Sequence, residues 1–248
     1  MKIAITGASG FIGQQVVKQL LSQNHKVIAV LNNSPLPIRH KNLITIKMSL
    51  SELANSKLAF HRLHQPDVFL DLAWQKLSDY NCNSHINEQP QLHLNLIKNL
   101  VKQGLKRVVG VGTCFEIAEV AGESFLLKYP QGKLLLLNQL TDLAAAENIN
   151  FAWLRPFYVY GLNKNRPTLF NDIQKAIDEN LPTFKLNNPN VAHDFLSVED
   201  LGAKIAEFAV DSNICGIVNC CSGQIQTVAQ IAQKYAAQQS ATLHFEWD

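Results

Sequence analysis

The chain alternates between short apolar runs and longer segments in which apolar residues recur at helical spacing. The apolar runs predict six strands, at 2–6, 26–31, 43–47, 67–72, 107–112 and 150–154. The segments with helical spacing predict helices at 11–23, 51–64, 88–103 and 130–148. Strands that are apolar on both faces and joined by helices are typical of a parallel sheet covered on both sides. Because crossovers between parallel strands are right-handed, the pattern predicts a doubly wound α/β fold.

A glycine-rich segment, Gly7 to Gly13 (GASGFIG), follows the first predicted strand and opens the first predicted helix. Glycines there permit a tight turn, close approach of the backbone to a pyrophosphate and close packing of helix on strand. The start of the helix offers N–H groups and a positive dipole end to phosphates. The segment therefore predicts dinucleotide binding. The contacts expected from it are Gly7, Ser9, Gly10, Phe11, Ile12 and Gly13.

The pattern changes after Pro156, where the chain becomes richer in Asn, Pro and Lys. Beyond this point we predict helices at 168–180, 197–211 and 226–239 and a short strand at 216–219. The change predicts two domains. The first is a Rossmann-type dinucleotide-binding domain over 1–157 together with about 191–212, and the second is a small substrate-binding lobe over about 158–190 and 213–248.

Composition narrows the classes of function. The chain has 22 Lys and Arg against 20 Asp and Glu, which is too small an excess for binding nucleic acid through a broad basic face. No apolar stretch approaches the roughly 20 residues of a membrane span, and the N-terminus lacks the pattern of a signal peptide. Five cysteines without regular spacing favour a reducing compartment, so we expect a cytoplasmic protein. No cluster has metal-ligand spacing, so we expect no metal.

The choice between NAD and NADP depends on the end of the second predicted strand, where the chain has Asn32 and Asn33. An acidic residue there would bind the ribose hydroxyls of NAD, and an arginine would suit the 2′-phosphate of NADP. Arg39, His40 and Lys41 could reach such a phosphate or form a solvated loop. We expect an NAD(P) cofactor with a slight preference for NADP, because no acid repels the phosphate.

Tyr129 and Lys133 form a Y-x-x-x-K motif between the fifth and sixth predicted strands. Residues four apart share one face of a helix, so the ammonium group would favour the phenolate and lower the pKa of Tyr129. Such a tyrosine can exchange a proton with a carbonyl or an alcohol while hydride moves to or from nicotinamide. The motif thus predicts an oxidoreductase centre.

These motifs, with the segment at 67–73, resemble the extended short-chain dehydrogenases/reductases, the nucleotide-sugar epimerase/dehydratase group, over nearly the whole chain. The resemblance implies a catalytic set of Thr113, Tyr129 and Lys133, with Thr113 bonded to the substrate oxygen and Lys133 also bonded to the nicotinamide ribose. It implies further cofactor contacts from Leu72, Ala73 and Pro156. It also implies a homodimer formed through the helices at 88–103 and 130–148.

The stretch L-A-W-x-x-L-x-x-Y at 72–80, with His85 beyond it, narrows the resemblance. It is similar to a subgroup of 4-keto-sugar reductases that includes dTDP-6-deoxy-L-talose 4-dehydrogenase. The resemblance implies reduction of the 4-keto group of a nucleotide-linked 6-deoxy sugar. The residues expected to contact this substrate are Trp74, Tyr80, Cys114, Phe115, Glu116, Tyr158 and His193.

Departures from the family pattern bear on the substrate. His193 stands where relatives carry an arginine that often contacts the diphosphate; Lys164, Arg166 and Lys185 are candidate replacements. The loop between Thr113 and Tyr129 is shorter than in relatives, which predicts a more open or differently closed pocket.

Two other functions stay open. A nucleotide-sugar epimerase or dehydratase would oxidise its sugar transiently and recycle the bound cofactor, and a dehydratase would need a further acid/base such as Glu116. The third hypothesis is a non-catalytic dinucleotide-binding protein.

Overall fold

A computed structural model describes residues 1–162 and 168–247. Lys164 and Arg166, considered above as contacts to a diphosphate, lie outside the described residues. Within the described part, no helix combines the length and the apolar character needed to cross a membrane.

Strands occur on both sides of Pro156. In chain order they are β1 (Lys2–Thr6), β2 (Lys26–Leu31), β3 (Leu43–Lys47), β4 (Val68–Asp71), β5 (Arg107–Val111), β6 (Asn150–Pro156), β7 (Val159–Tyr160), β8 (Thr183–Lys185), β9 (Ala192–Asp194), β10 (Leu196–Ser197), β11 (Gly216–Cys220), β12 (Ile225–Thr227) and β13 (His244–Glu246).

The helices alternate with the longer strands. In chain order they are α1 (Phe11–Ser22), α2 (Leu50–Asn55), α3 (Ala59–Arg62), α4 (Ser84–Asn87), α5 (Gln89–Lys102), α6 (Ala118–Ala121), α7 (Lys128–Glu147), α8 (Leu169–Asp178), α9 (Val198–Val210) and α10 (Val228–Gln238). Two turns of 3₁₀ helix, Cys114–Glu116 and Gly122–Leu126, flank α6.

Seven strands form one parallel sheet in the order β11-β6-β5-β4-β1-β2-β3. This order confirms the doubly wound α/β fold. The chain's direction across the sheet reverses between β1 and β4, and sheets of this kind bind ligands beyond the carboxyl ends of the strands at that point. Thr6 and Asp71, the last residues of β1 and β4, are paired there.

Local capping explains where two helices differ from their predicted bounds. The helix predicted at 51–64 is two short helices, because Ser49 and Glu52 form a capping box that starts α2 and Ser56 is extended at its end. The helix predicted at 130–148 begins two residues earlier, at Lys128. It ends at Glu147, and the next residue, Asn148, adopts the left-handed conformation typical of a helix end.

Contacts divide the described chain into two compact units, Met1–Pro156 with Leu201–Cys220, and Phe157–Asp200 with Cys221–Asp248. The first contains the seven-stranded sheet, so the strand predicted at 216–219 lies in this sheet as β11 rather than in the small lobe, where the sequence pattern placed it. Strand β11 belongs to this sheet because it pairs with β6, where Ile217 lies opposite Trp153.

The second unit has a core of its own. Three two-stranded sheets, β7 with β10, β9 with β12 and β8 with β13, accompany α8 and α10. Their apolar side chains cluster around Phe170, Ile173, Leu186, Ile231, Ala232 and Tyr235. Each of these six strands has only two or three residues, too few for a sequence pattern to reveal.

Candidate active site

The loop after β1 packs so closely on neighbouring backbone that side chains at two of its glycines would collide with it. Gly7 has φ +68°, and a Cβ on it would lie 2.8 Å from the backbone nitrogen of Ala73 and the carbonyl carbon of Leu72. A Cβ on Gly13 would lie 2.1 Å from the Gly7 oxygen. Gly10 is the N-cap of α1 and, being glycine, has no side chain that could cap the first turn. The arrangement suits a pyrophosphate at the start of α1, so the residues present fit a dinucleotide.

The remaining residues expected to contact the cofactor lie around this loop and at two strand ends. Ser9, Phe11 and Ile12 are half-buried in the loop and the first turn of α1. Asn32 and Asn33 are exposed after β2, as are Arg39, His40 and Lys41. Pro156 is buried at the end of β6.

A buried polar chain joins β1, β4 and α5. The hydroxyl of Thr6 donates to Asp71 Oδ1 at 2.7 Å, and His93 Nδ1 lies 2.6 Å from Asp71 Oδ2. The backbone N–H of Ala73 donates to Thr6 Oγ1 at 3.2 Å. Burial alone would raise the pKa of Asp71, but attraction to His93, with the hydrogen bonds from His93 and Thr6, holds that pKa below its usual value. Asp71 is therefore a carboxylate, and His93 donates to it.

Tyr129 and Lys133 both lie in the first two turns of α7, but their environments differ. Tyr129 is half-buried, and its side chain is hydrogen-bonded with Thr113. Lys133 is only 4% exposed; its ammonium group donates to the Val111 carbonyl at 2.7 Å and lies 4.0 Å from the Trp74 ring centroid. Burial lowers the pKa of Lys133 to about 8, although Asp71 and Glu116 act in the opposite direction.

The sequence predicts a lowered pKa for Tyr129, and this prediction is wrong. Burial raises the pKa of Tyr129 above its usual value, and Tyr80 and Glu116 add to the shift, whereas the hydrogen bond with Thr113 opposes it. Desolvation penalises the phenolate, and this penalty outweighs the opposing interaction with Thr113. Tyr129 therefore carries its proton at neutral pH.

Glu116 is bonded on all sides. It is 5% exposed, and one oxygen accepts the backbone N–H of Thr113 at 2.8 Å. The Trp153 indole N–H lies 3.2 and 3.0 Å from its two oxygens, and Arg155 Nε donates to Oε2 at 2.7 Å. A Cβ on Gly112 would lie 2.0 Å from Oε1, so this packing requires glycine there. Glu116 thus fixes the turn that carries Thr113.

Trp74 is held in place by His85, whose role the sequence did not settle. The Trp74 indole N–H donates to His85 Nδ1 at 2.9 Å, and His85 Nε2 lies 2.9 Å from the Asp79 carbonyl. Because an indole only donates and a carbonyl only accepts, His85 is neutral with its proton on Nε2. A Cβ on Gly132 would lie 1.9 Å from the His85 oxygen, so α7 packs directly on this segment.

Tyr80 covers Tyr129. Their rings are stacked with centroids 4.7 Å apart, and the Tyr129 N–H donates to the Tyr80 carbonyl at 2.9 Å. The structure thus brings together Trp74, Tyr80, Thr113, Glu116, Tyr129 and Lys133. Cys114 is buried and Phe115 half-buried in the 3₁₀ turn next to Thr113.

The last two expected substrate contacts lie in the second unit. Tyr158 and His193 stack with ring centroids 3.6 Å apart. Burial lowers the pKa of His193, which is therefore neutral at neutral pH and does not supply the charge of an arginine. Lys185 is exposed on β8. Among residues 1–162 and 168–247, no group of His, Cys, Asp or Glu is arranged to hold a metal ion.

Two elements of this site were missed in the sequence, the Asp71–His93 pair and the bonds of Glu116 to Trp153 and Arg155. A signal existed for Asp71, because a carboxylate ending an otherwise apolar strand must find a buried partner. No local pattern identifies His93 as the partner of Asp71 or Arg155 as the partner of Glu116, because the two residues of each pair lie far apart in the sequence.

Comparison with known families decides the classification. The model of the NAD dependent epimerase/dehydratase family matches residues 3–219. The chain belongs to this family. It is an NAD(P)-dependent enzyme of the short-chain dehydrogenase/reductase type, as its motifs predicted.

Individual relatives have different activities in their names. The chain is 29% identical to a dTDP-6-deoxy-L-talose 4-dehydrogenase (NAD(+)) of Aggregatibacter actinomycetemcomitans, covering 96% of this chain and 90% of the relative. It is 27% identical to an ADP-L-glycero-D-manno-heptose-6-epimerase of Brachyspira hyodysenteriae, covering 93% and 79%. A UDP-glucose-4-epimerase structure from Stenotrophomonas maltophila with bound NAD superimposes with a TM-score of 0.80 at 20% identity, covering 100% of this chain and 86% of the other. This last likeness shows the fold.

Proposed function

We propose that this enzyme reduces the 4-keto group of a nucleotide-linked 6-deoxy sugar, with hydride from NAD(P)H and a proton from Tyr129. The observation that carries the proposal is the grouping of Tyr129, Thr113 and Lys133 under the Tyr80 ring, where burial raises the pKa of Tyr129. Reduction of a ketone needs a proton donor at its oxygen, and a tyrosine whose pKa burial has raised is in the donating form before the reaction begins.

Each residue of the set has a separate task in this proposal. Thr113 and Tyr129 hydrogen-bond the keto oxygen and so polarise the carbonyl. The cofactor, when bound, supplies hydride to the carbonyl carbon. Tyr129 then gives its proton to the oxygen, and the ammonium group of Lys133, close by on the same helix, stabilises the resulting phenolate. Gly7 to Gly13 and the start of α1 hold the pyrophosphate.

The bonding of Glu116 argues against the dehydratase alternative. A dehydratase base needs a carboxylate oxygen that can take a proton, whereas both oxygens of Glu116 already accept hydrogen bonds from Thr113, Trp153 and Arg155. The ion pair with Arg155, 2.7 Å from Nε to Oε2, favours the charged form further. We therefore assign Glu116 to holding the 113–116 turn.

The substrate class is supported by the relative that matches over most of both chains, the dTDP-6-deoxy-L-talose 4-dehydrogenase. The stretch at 72–80 points the same way, since Trp74 and Tyr80 lie beside Lys133 and Tyr129. Aromatic rings of this kind pack against the apolar faces of sugars. The half-buried Trp74 and Tyr80 are therefore proposed to line the pocket.

The cofactor preference and the oligomeric state stay predictions. The exposed Asn32 and Asn33 agree with the slight preference for NADP, whereas the relative's name specifies NAD(+). The coenzyme that gives the larger rise in melting temperature will identify the preference. For the homodimer, Leu135 on α7 is 38% exposed while Leu136 and Leu137 are buried, and light scattering of the purified protein will give the mass.

The experiment that tests the proposal follows absorbance at 340 nm while the enzyme meets a panel of nucleotide-linked 4-keto-6-deoxy sugars. We expect oxidation of one NAD(P)H per sugar consumed. An enzyme that recycles its cofactor would convert the sugar without a change in absorbance, which would overturn the proposal in favour of epimerisation.

A further inference from the structure

Lys133 carries a buried charge that needs a compensating charge nearby. Its ammonium group is buried, its hydrogen bond goes to the uncharged Val111 carbonyl, and among the residues that the structure describes it forms no salt bridge. A buried charge is stable only when a compensating charge lies near it. The ring of Trp74, 4.0 Å away, offers partial compensation through its π-face.

Two buried carboxylates lie close enough to act on Lys133, and their own partners differ. Glu116 is paired with Arg155, whose guanidinium is permanently charged and cancels much of its field. Asp71 is bonded to the hydroxyl of Thr6 and to the ring of His93, and among the described residues no permanently charged group is bonded to it. Of the two carboxylates, Asp71 acts more strongly than Glu116 to keep Lys133 charged.

Packing connects Asp71 to Lys133 through two rings. His93, which is 0% exposed, is bonded to Asp71 and stacks on Trp74 with centroids 5.2 Å apart. Trp74 in turn lies against the Lys133 ammonium group. His93 Nε2 is buried without a hydrogen-bond partner among the described residues, so Nδ1 alone fixes this ring to Asp71.

We propose that Asp71 is a positioning residue, whose carboxylate, fixed by Thr6 and His93, is the buried counter-charge for the ammonium group of Lys133. The inference rests on the proposed function only for the consequence that Lys133 supports Tyr129. The titratable groups packed around Lys133 and Trp74 are Asp71 on β4, His85 on α4, His93 on α5, Glu116 after β5, and Tyr129 on α7 itself.

The proposal is tested by replacing the charge and keeping the hydrogen bonds. In Asp71→Asn the amide oxygen still accepts from Thr6, and the amide N–H donates to Nδ1 of His93 in its other neutral tautomer. The matched control is Asp67→Asn, an exposed position just before the same strand. In protein labelled with ¹³C at lysine Cε, the Lys133 resonance is assigned from Lys133→Met and followed against pH.

In the unchanged protein we expect Lys133 to titrate at about pH 8. In Asp71→Asn the midpoint should fall by about one to three pH units, because an opposite charge has been removed, whereas Asp67→Asn should leave it in place. A folded Asp71→Asn protein whose Lys133 titrates at the original midpoint would overturn the proposal. Should that variant fail to fold, Asp71→Asn with His93→Gln removes the same charge while two amides replace the pair, and the same criterion applies.

The titration needs no substrate, so the two proposals fail separately. A shifted midpoint without reduction of any keto sugar would leave the counter-charge standing and remove the proposed reaction. Reduction with an unmoved midpoint would do the reverse. When both hold, the decline of kcat/KM at high pH should move down together with the Lys133 midpoint.

Discussion

The two units treat their polar groups differently. In the first unit Asp71 and Glu116 are buried, and each carboxylate has strong donors on both oxygens. In the second unit Asp194 holds the backbone and hydroxyl of Ser222 and the N–H of Gly223 in exposed positions, and beside it His193 stacks on Tyr158 without charge. The first unit thus holds its carboxylates away from solvent, whereas the polar contacts of Asp194 lie near the surface. In our proposal the first unit fixes the reacting geometry.

The largest effect is expected from a substitution that removes the proton donor of the first unit. Tyr129→Phe should lower kcat for sugar reduction about a thousandfold, because general acid catalysis contributes on that scale. Cofactor affinity, measured by fluorescence titration, should stay close to the original value, because the ring and its stacking on Tyr80 remain. Reduction at an undiminished rate would remove Tyr129 from the mechanism.

The next largest effect breaks the bonding around Glu116. Glu116→Gln leaves Arg155 without its counter-charge and turns an amide N–H towards other donors. The free energy of unfolding should therefore fall by about 2 kcal/mol, which is less than for a pair in which both side chains are fully buried. Urea unfolding measures the change. The control Glu119→Gln, exposed on α6, should stay within about 0.5 kcal/mol of the original. Equal stability of the two variants would show that the Glu116 bonds contribute nothing net.

A smaller effect comes from pH. Burial lowers the pKa of Lys133 to about 8, so its ammonium group is lost as pH rises through that value. Burial raises the pKa of Tyr129, so the tyrosine keeps its proton over the same range. The kcat/KM for reduction should therefore be level below pH 8 and fall about tenfold per pH unit above it. A decline that begins only near pH 10 would contradict the assignment to Lys133.

The smallest effect concerns the second unit. His193→Arg supplies a permanent charge at a half-buried, neutral position, and should lower KM for a nucleotide sugar about fivefold, the value of roughly 1 kcal/mol for an exposed ion pair. The kcat should not change, because the ring does not touch the reacting groups in our proposal. His193→Gln serves as the uncharged control. An unchanged KM in both variants would mean that recognition does not use this position.

Interactions between residues close in the sequence could be predicted, whereas interactions between distant residues could not. The alternation of strands and helices, the glycine turn and the Tyr129–Lys133 pair are local, so their patterns, with the segment at 67–73, led to the fold and the family. The Asp71–His93 bond spans 22 residues and the Glu116–Arg155 bond 39, so no periodicity reveals them. The direction of the Tyr129 pKa was wrong for a related reason, because burial depends on which rings the fold packs over the hydroxyl.

In the proposed reaction, hydride passes from the cofactor to the sugar and stays there. This transfer is tested with NAD(P)H that carries deuterium at the transferred position of C4, followed by mass spectrometry and NMR of the sugar product. We predict one deuterium at C4 of the product sugar for each cofactor oxidised. A product without deuterium, or a cofactor that recovers its label after turnover, would contradict the account.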